Sequence, residues 1–498
     1  MVMVGATLPP TWAMVGWFAV IAALGVFVAI PVKRQLIDVE QLVFPTGTAT
    51  AETIRSLHAD ATEGPAAVEG AGKSRALGLA ALVAAAVAVL RDVPFGSVGK
   101  ILPSVLPLPL RIAGRQAAEW TLAIKTELVL VGAGALMSFR TCWSMLLGGV
   151  LTYGVLSPSL LEQGLVADPS YKSVVKWTVW PGAALLVGSG LTSFALDGKS
   201  VLRAFTGMAA ALRRRGAPPE EERDECPAWW FPAGFLALAP IVVVLMTALF
   251  GIPWGAALLA APLAVLLGFV AARVTGETDV TPTKAVGPVT QLLYGGLAPG
   301  NLAGNIMSAN VTGGVGLHAA DLLTTLKTGK LLGGSPRAQF VAQLFGVATG
   351  ALVIVPAFRV LIPEGQVGGD EWPAPACLVW AGVSKAFAHG LDALDGAARG
   401  AALIAGLLGV ALALLEKFAP RGLKPYVPSP SGLGIAMVVP GSNAISMFLG
   451  GALAELWRRR RPRSASLYVT PAASGFIAGE SLAGVVIALL SAAGMLHR

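Results

Sequence analysis

Forty-seven consecutive residues, Cys226 to Ala272, carry no Asp, Glu, Lys or Arg. A helix crosses the ~30 Å hydrocarbon core of a bilayer in about 20 residues. The run is therefore long enough for two crossings, with Gly251, Ile252 and Pro253 as the bend between them. Of the 498 residues, 13% are charged and 55% belong to the hydrophobic set, against about 25% charged in an ordinary soluble domain. Too little charge exists to cover a water-facing surface, so the chain must use the lipid bilayer as its solvent. The expected fold class is all-α, a polytopic membrane bundle with broken or re-entrant helices.

Hydropathy places about twelve spans, near residues 12–32, 76–93, 118–139, 141–161, 175–196, 229–250, 253–273, 296–320, 338–361, 398–416, 432–456 and 468–496. The net charge of +8 sits in short basic runs between apolar segments, chiefly Arg213 to Arg215 and Arg458 to Arg461 with Arg463. These read as cytoplasmic topology signals and not as a nucleic-acid surface, because no aromatic or fold signature accompanies them. Lys327, Lys330 and Arg337 fit that orientation poorly, and a re-entrant or doubled segment within 285–320 or 376–396 would repair the count. Residues 1–32 lack a basic start and a small-residue cleavage site, so they read as a first span.

Several chemical motifs are set aside. Cys142, Cys226 and Cys377 are too few and too far apart for a disulfide framework. Ala67, Gly72, Lys73 and Ser74 have loose phosphate-loop spacing but no apolar strand before them. His389, Asp392 and Asp395 suit an amphipathic interfacial helix better than a metal site, and Glu220 to Glu225 read as a solvated loop. No metal, cofactor or enzymatic centre is expected.

Three constellations remain. Every fourth residue from Gly296 to Ala320 is small: Gly296, Gly300, Gly304, Ser308, Thr312, Gly316 and Ala320. Such a ridge lets another backbone approach closely. Asn301, Asn305 and Asp321 lie on the adjacent row, with Asn310 and His318 beyond. The stripe either glues a helix pair by amide hydrogen bonds or lines a substrate path, and Thr312, Gly313 and Gly314 invite local unwinding. The second constellation runs from Phe44 to Glu52, where Pro45 suits a first helical turn. Thr46, Thr48 and Thr50, spaced by two, leave open an extended filter or a plain loop instead. The third is Glu480, the one carboxylate or cation between Arg463 and His497. A charge at mid-span costs at least ~2.5 kcal/mol, so beside the small face of Gly475, Gly479 and Ala483 it either pairs with a cation or stays protonated. Asp321 ends the charge-free run 285–320, and its pairing with Lys327 would need a break in the helix.

The stretch Phe44 to Glu52, the run Gly276, Glu277, Thr278, Asp279, the block from Asn310 through Asp321, Lys327 and Gly329 to Arg337, and the run Gly479 to Gly484 together resemble the oligopeptide transporter (OPT) family, which includes the yellow-stripe-like metal-chelate carriers. The resemblance covers nearly the whole chain, 1–498, as one transmembrane domain. It implies a multi-pass secondary transporter that imports small peptides or metal chelates by proton-coupled symport, with a bacterial inner membrane as the expected location. Family chains usually begin with further hydrophobic segments, part of an internal duplication, and this chain is expected to start after them, either because its start site is set too far downstream or because it is a shortened member. On this reading Glu480 and Asp321 carry protons. Substrate meets unwound backbone at Thr312 to Gly314, the helix start at Thr46 to Thr50 with Glu52, and the amides of Asn301, Asn305 and Asn310. The competing reading is an ion channel or a non-transporting membrane scaffold, for which Thr46 to Thr50 would form a filter in a homo-oligomer.

Overall fold

The computed structural model describes residues 1, 4–57, 65–95, 99–197, 224–361, 377, 380–381, 383–384, 396–420, 422–492 and 495. Helices dominate: α1 (Thr11–Lys33), α2 (Pro45–Leu57), α3 (Pro65–Asp92), α4 (Leu128–Leu136), α5 (Phe139–Gly149), α6 (Ser157–Glu162), α7 (Tyr171–Asp197), α8 (Trp230–Phe250), α9 (Trp254–Ala257), α10 (Ala260–Thr278), α11 (Thr283–Leu297), α12 (Leu302–Leu332), α13 (Pro336–Leu361), α14 (Gly396–Phe418), α15 (Pro430–Ala436), α16 (Gly441–Arg460) and α17 (Pro462–Ala492). The chain is a polytopic helical membrane protein. Among the described residues nine helical stretches are long and apolar enough to cross a membrane.

Three of the twelve expected spans are built otherwise. The segment 118–139 is not a span. Its first part closes a small β element in which Val105–Pro107 pairs antiparallel with Ala123–Lys125 and Arg111–Ile112 with Arg115–Gln116, leaving only the nine-residue α4. Left-handed Thr121 (φ 62°) and the polar run Lys125, Thr126, Glu127 stop a helix there. The segment 296–320 is divided by a break at residues 298–301, where Gly300 adopts φ 80°. The segment 432–456 is likewise split between α15 and α16 at residues 437–440, which include Pro440. Each departure falls where glycine, proline or polar residues interrupt an apolar run.

The chain divides into two compact units. Unit 1 comprises residues 1–42, 178–275 and 280–419. In it α1 lies against α12 so closely that a Cβ on Gly25 would fall 2.7 Å from the Val315 carbonyl. The small ridge is buried from Gly304 through Ala320, and at Gly316 it meets Ala271 of α10. The expected packing face is therefore present on α12, while Gly296 and Gly300 lie before it. At the end of α1 the chain makes a π-helical turn, Arg34–Val39. Buried Lys33 there pairs with Glu225 at 2.5 Å and Asp38 at 3.3 Å, and Lys330 reaches Asp38 at 2.8 Å. Glu225 is thus an ion-pair partner and not merely part of a solvated loop. Arg213 to Arg215 and His389 to Asp395 lie outside the described residues.

Unit 2 comprises residues 43–177, 276–279 and 420–498. Its core joins Trp120 and Tyr153 to Val174 and Ile445. The Tyr153 and Tyr171 hydroxyls donate to the carbonyls of Val439 and Val438, each at 2.7 Å, satisfying backbone that the α15–α16 break leaves without helical partners. Gly475 and Gly479 set α17 against α3, where a Cβ on Gly475 would be 2.7 Å from that of Ala80. The small face beside Glu480 packs as its composition requires.

Candidate functional site

Within unit 1, α11 and α12 bury a polar cluster. The Thr290 and Thr312 hydroxyls lie 2.6 Å apart. Gln291 Nε2 donates to Asn305 Oδ1 at 3.0 Å and to the Trp380 carbonyl at 2.9 Å, and Asn305 Nδ2 donates back to the Gln291 carbonyl at 2.7 Å. Ser308 donates to the Asn305 carbonyl. Thr290, Gln291, Ser308 and Thr312 are wholly buried and Asn305 nearly so. In apolar surroundings such groups must hold one another, water or a ligand. A narrow gap beside the cluster, with no room for a water molecule, is lined by Gly295, Ala298, Gly300, Asn301, Leu302, Asn305 and Ser384.

The expected unwinding at Thr312 to Gly314 is absent, because α12 is continuous over Leu302–Leu332 and uses those N–H groups internally. The glycines serve close approach instead: a Cβ on Gly313 would lie 3.1 Å from the Trp380 ring and one on Gly314 2.8 Å from Ile21. Asn301 caps α12, accepting from Gly304 N at 2.8 Å and donating to the Phe250 carbonyl at 2.8 Å. Asn310 accepts from Trp17 Nε1 at 2.8 Å. Asp321 is exposed, and Lys327 donates to the Leu42 carbonyl. A continuous helix puts Asp321 and Lys327 on different faces, so the pairing that a break would have allowed does not arise.

The first threonine motif lies in unit 2 and forms α2, which removes the extended-filter arrangement. Each hydroxyl has a partner: Thr46 donates to Asp279 at 2.6 Å, Thr48 to the Val43 carbonyl at 2.6 Å and Thr50 to the Thr46 carbonyl at 2.9 Å. Glu52 lies 3.9 Å from Arg55. Asp279 also accepts from Thr46 N at 2.9 Å, so one carboxylate holds the start of the helix. Loss of water pushes the Asp279 carboxyl above its ordinary pKa, against the pull of the two Thr46 bonds.

Glu480, 5% exposed, pairs with a cation. Its Oε1 lies 2.5 Å from Arg91 Nη1 and its Oε2 accepts from Val129 N, in the first turn of α4, at 2.7 Å. Glu277 behaves similarly: its Oε2 accepts from the Ser429 hydroxyl at 2.8 Å, and Ser429 caps α15. Two glutamates in Gly-Glu-Thr and Gly-Glu-Ser contexts thus each reach the start of a short helix.

Sequence reasoning missed Thr290, Gln291 and Trp380. The first two had a visible signal, a hydroxyl and an amide inside the charge-free run 285–320. Trp380, 89 residues from Gln291, had none.

Residues 1–491 match the family model described as OPT oligopeptide transporter protein. The chain is 26% identical to metal-nicotianamine transporter YSL2 of Oryza sativa subsp. japonica, over 96% of this chain and 73% of that protein. It is 27% identical to iron-phytosiderophore transporter yellow stripe 1 of Zea mays, over 94% and 71%. To metal-nicotianamine transporter YSL2 of Arabidopsis thaliana it is 26% identical, over 94% and 74%. A helical membrane bundle with broken helices, carrying the family's pattern along almost its whole length, belongs to the OPT family of membrane transporters.

Proposed function

We propose that the protein carries small metal chelates of amino-acid-derived ligands across its membrane by proton-coupled symport. The observation that carries the reading is the buried polar cluster of Thr290, Gln291, Asn305 and Thr312, beside the break between two helices. Broken helices and polar groups at membrane depth are the setting in which carriers hold substrate. The relatives' names, metal-nicotianamine and iron-phytosiderophore transporter, favour chelates over plain peptides. Asn301, Asn310, Gly313 and Gly314 then shape and support the site, and the α2 start at Thr46 to Glu52 keeps its own helix in place.

Glu480 is the leading proton carrier on this reading and Asp321 the second. Protonating Glu480 would discharge its pair with Arg91 inside a span, a change large enough to favour one carrier state over another. The plant relatives lend no support to a bacterial inner membrane, and the assignment is to a membrane only.

Proteoliposomes under an inward proton gradient, offered iron–nicotianamine and, separately, di- to pentapeptides, test the proposal. Saturable chelate uptake that collapses with the gradient is the expected result. Uptake indifferent to both substrates and to the gradient defeats it.

A further inference from the structure

The hydrogen bonds of the unit 1 cluster stop two short of completion. Gln291 is 0% exposed, and its Oε1 has no partner among the described residues. The buried Trp380 Nε1 has none either. One atom is an acceptor and the other a donor, and unpaired polar atoms in so apolar a setting are costly to keep.

The two belong to one arrangement. Gln291 Nε2 donates to the Trp380 carbonyl at 2.9 Å. The indole is seated on two glycines: a Cβ on Gly287 would fall 2.6 Å from Nε1, and one on Gly313 would fall 3.1 Å from Cη2. Gly287 lies four residues before Gln291, one turn along the same face of α11. Any larger residue at Gly287 would displace the ring, so the backbone is shaped to hold Trp380 over the cluster. Ser384, four residues beyond Trp380, lines the narrow gap beside the cluster and donates to the Leu302 carbonyl at 3.0 Å.

We infer that Gln291 Oε1 and Trp380 Nε1 are a substrate-orienting pair, the indole N–H donating to a carboxylate oxygen of the chelate and the amide oxygen accepting from one of its amino or hydroxyl groups. Two fixed groups of opposite polarity read the zwitterionic pattern of an amino-acid-derived chelator and discriminate against a ligand lacking either partner. The inference rests on the chelate-carrier reading.

The test uses the full-length protein in proteoliposomes with iron–nicotianamine as the probe, measuring Kd, the KM and kcat of uptake, and Tm. Trp380→Phe removes the N–H and keeps an aromatic ring, and Gln291→Met keeps the length without the amide. Each variant is expected to raise Kd and KM about tenfold, a lost hydrogen bond to a charged or polar ligand group, with kcat retained. A lowered Tm with unchanged Kd in both variants would make the pair structural and overturn the inference. If the wild-type protein binds no chelate, the carrier reading fails and takes this assignment with it. Chelate binding by the wild type with equal affinity in both variants sinks the pair alone.

Discussion

Asp279 takes both donors of Thr46, a residue 233 positions away: the backbone N at 2.9 Å and the hydroxyl at 2.6 Å. Both sides of this joint carry left-handed backbone, φ 46° at buried Phe44 and φ 60° at Asp279, a conformation rare for a bulky residue. A hydrogen bond from Phe44 N to the Gly276 carbonyl at 3.0 Å helps hold it. Removing a cap costs about 1 kcal/mol, and removing the acceptor of two bonds costs about 2. Thr46→Ala should therefore destabilise less than Asp279→Ala, and the double variant should match Asp279→Ala. Thermal melts in detergent check this, and additive losses would show that the two residues act independently.

A second expectation concerns Glu480. Removing one member of a buried ion pair costs about 3–5 kcal/mol because the other charge is stranded, although Arg91 keeps a contact with Asp92 at 2.7 Å. Glu480→Gln should lower Tm and abolish uphill, gradient-driven uptake while counterflow exchange persists. A Gln variant that still concentrates substrate with unchanged pH dependence would leave Glu480 a purely structural role.

Hydropathy alone located the nine long apolar stretches, because twenty uncharged residues have few alternatives to a spanning helix. The small face around Gly475 and Gly479 and the ridge on α12 were also legible, since i, i+4 spacing is a local property of helices. Tertiary partnership was not. Glu480 called for either a cation or a proton, but Arg91 lies 389 residues away, and nothing local distinguishes it from other arginines. The Thr312–Gly314 run shows the same limit from the other side: glycine licenses both unwinding and close packing, and only the neighbours Ile21 and Trp380 decide between them.

The ridge supplies a third expectation. A Cβ on Gly304 would fall 2.6 Å from the Asn301 amide and 2.8 Å from Ile252. Gly304→Leu should therefore push Asn301 from its capping position as well as force elements apart, with a loss of about 1–3 kcal/mol for overpacking and roughly 1 more for the cap. Gly304→Ala, whose extra methyl meets the same two neighbours, should lie between wild type and Leu. Expression yield and Tm rank the three proteins, and a Leu variant equal to wild type would mean that the α12 start is not tightly packed.

The last expectation is a pH dependence at Cys226. Its Sγ lies 3.6 Å from the Pro336 carbonyl, and burial, reinforced by Glu225 and opposed by Lys33 and Arg337, pushes the thiol up to about 11. Only the thiolate reacts rapidly with a maleimide. Raising the pKa above the ordinary value leaves a smaller thiolate fraction at neutral pH, and that fraction grows about tenfold per pH unit until the pKa is reached. With Cys142 and Cys377 replaced by Ala, labelling of Cys226 should be slow at pH 7 and climb steadily through pH 9.5 without levelling. Glu225→Gln removes one of the charges that opposes ionisation, so its labelling curve should shift toward lower pH. A curve that levels near pH 8.5 in the parent protein would mean that the thiol is solvated and that the Glu225–Lys33 pair does not shield it.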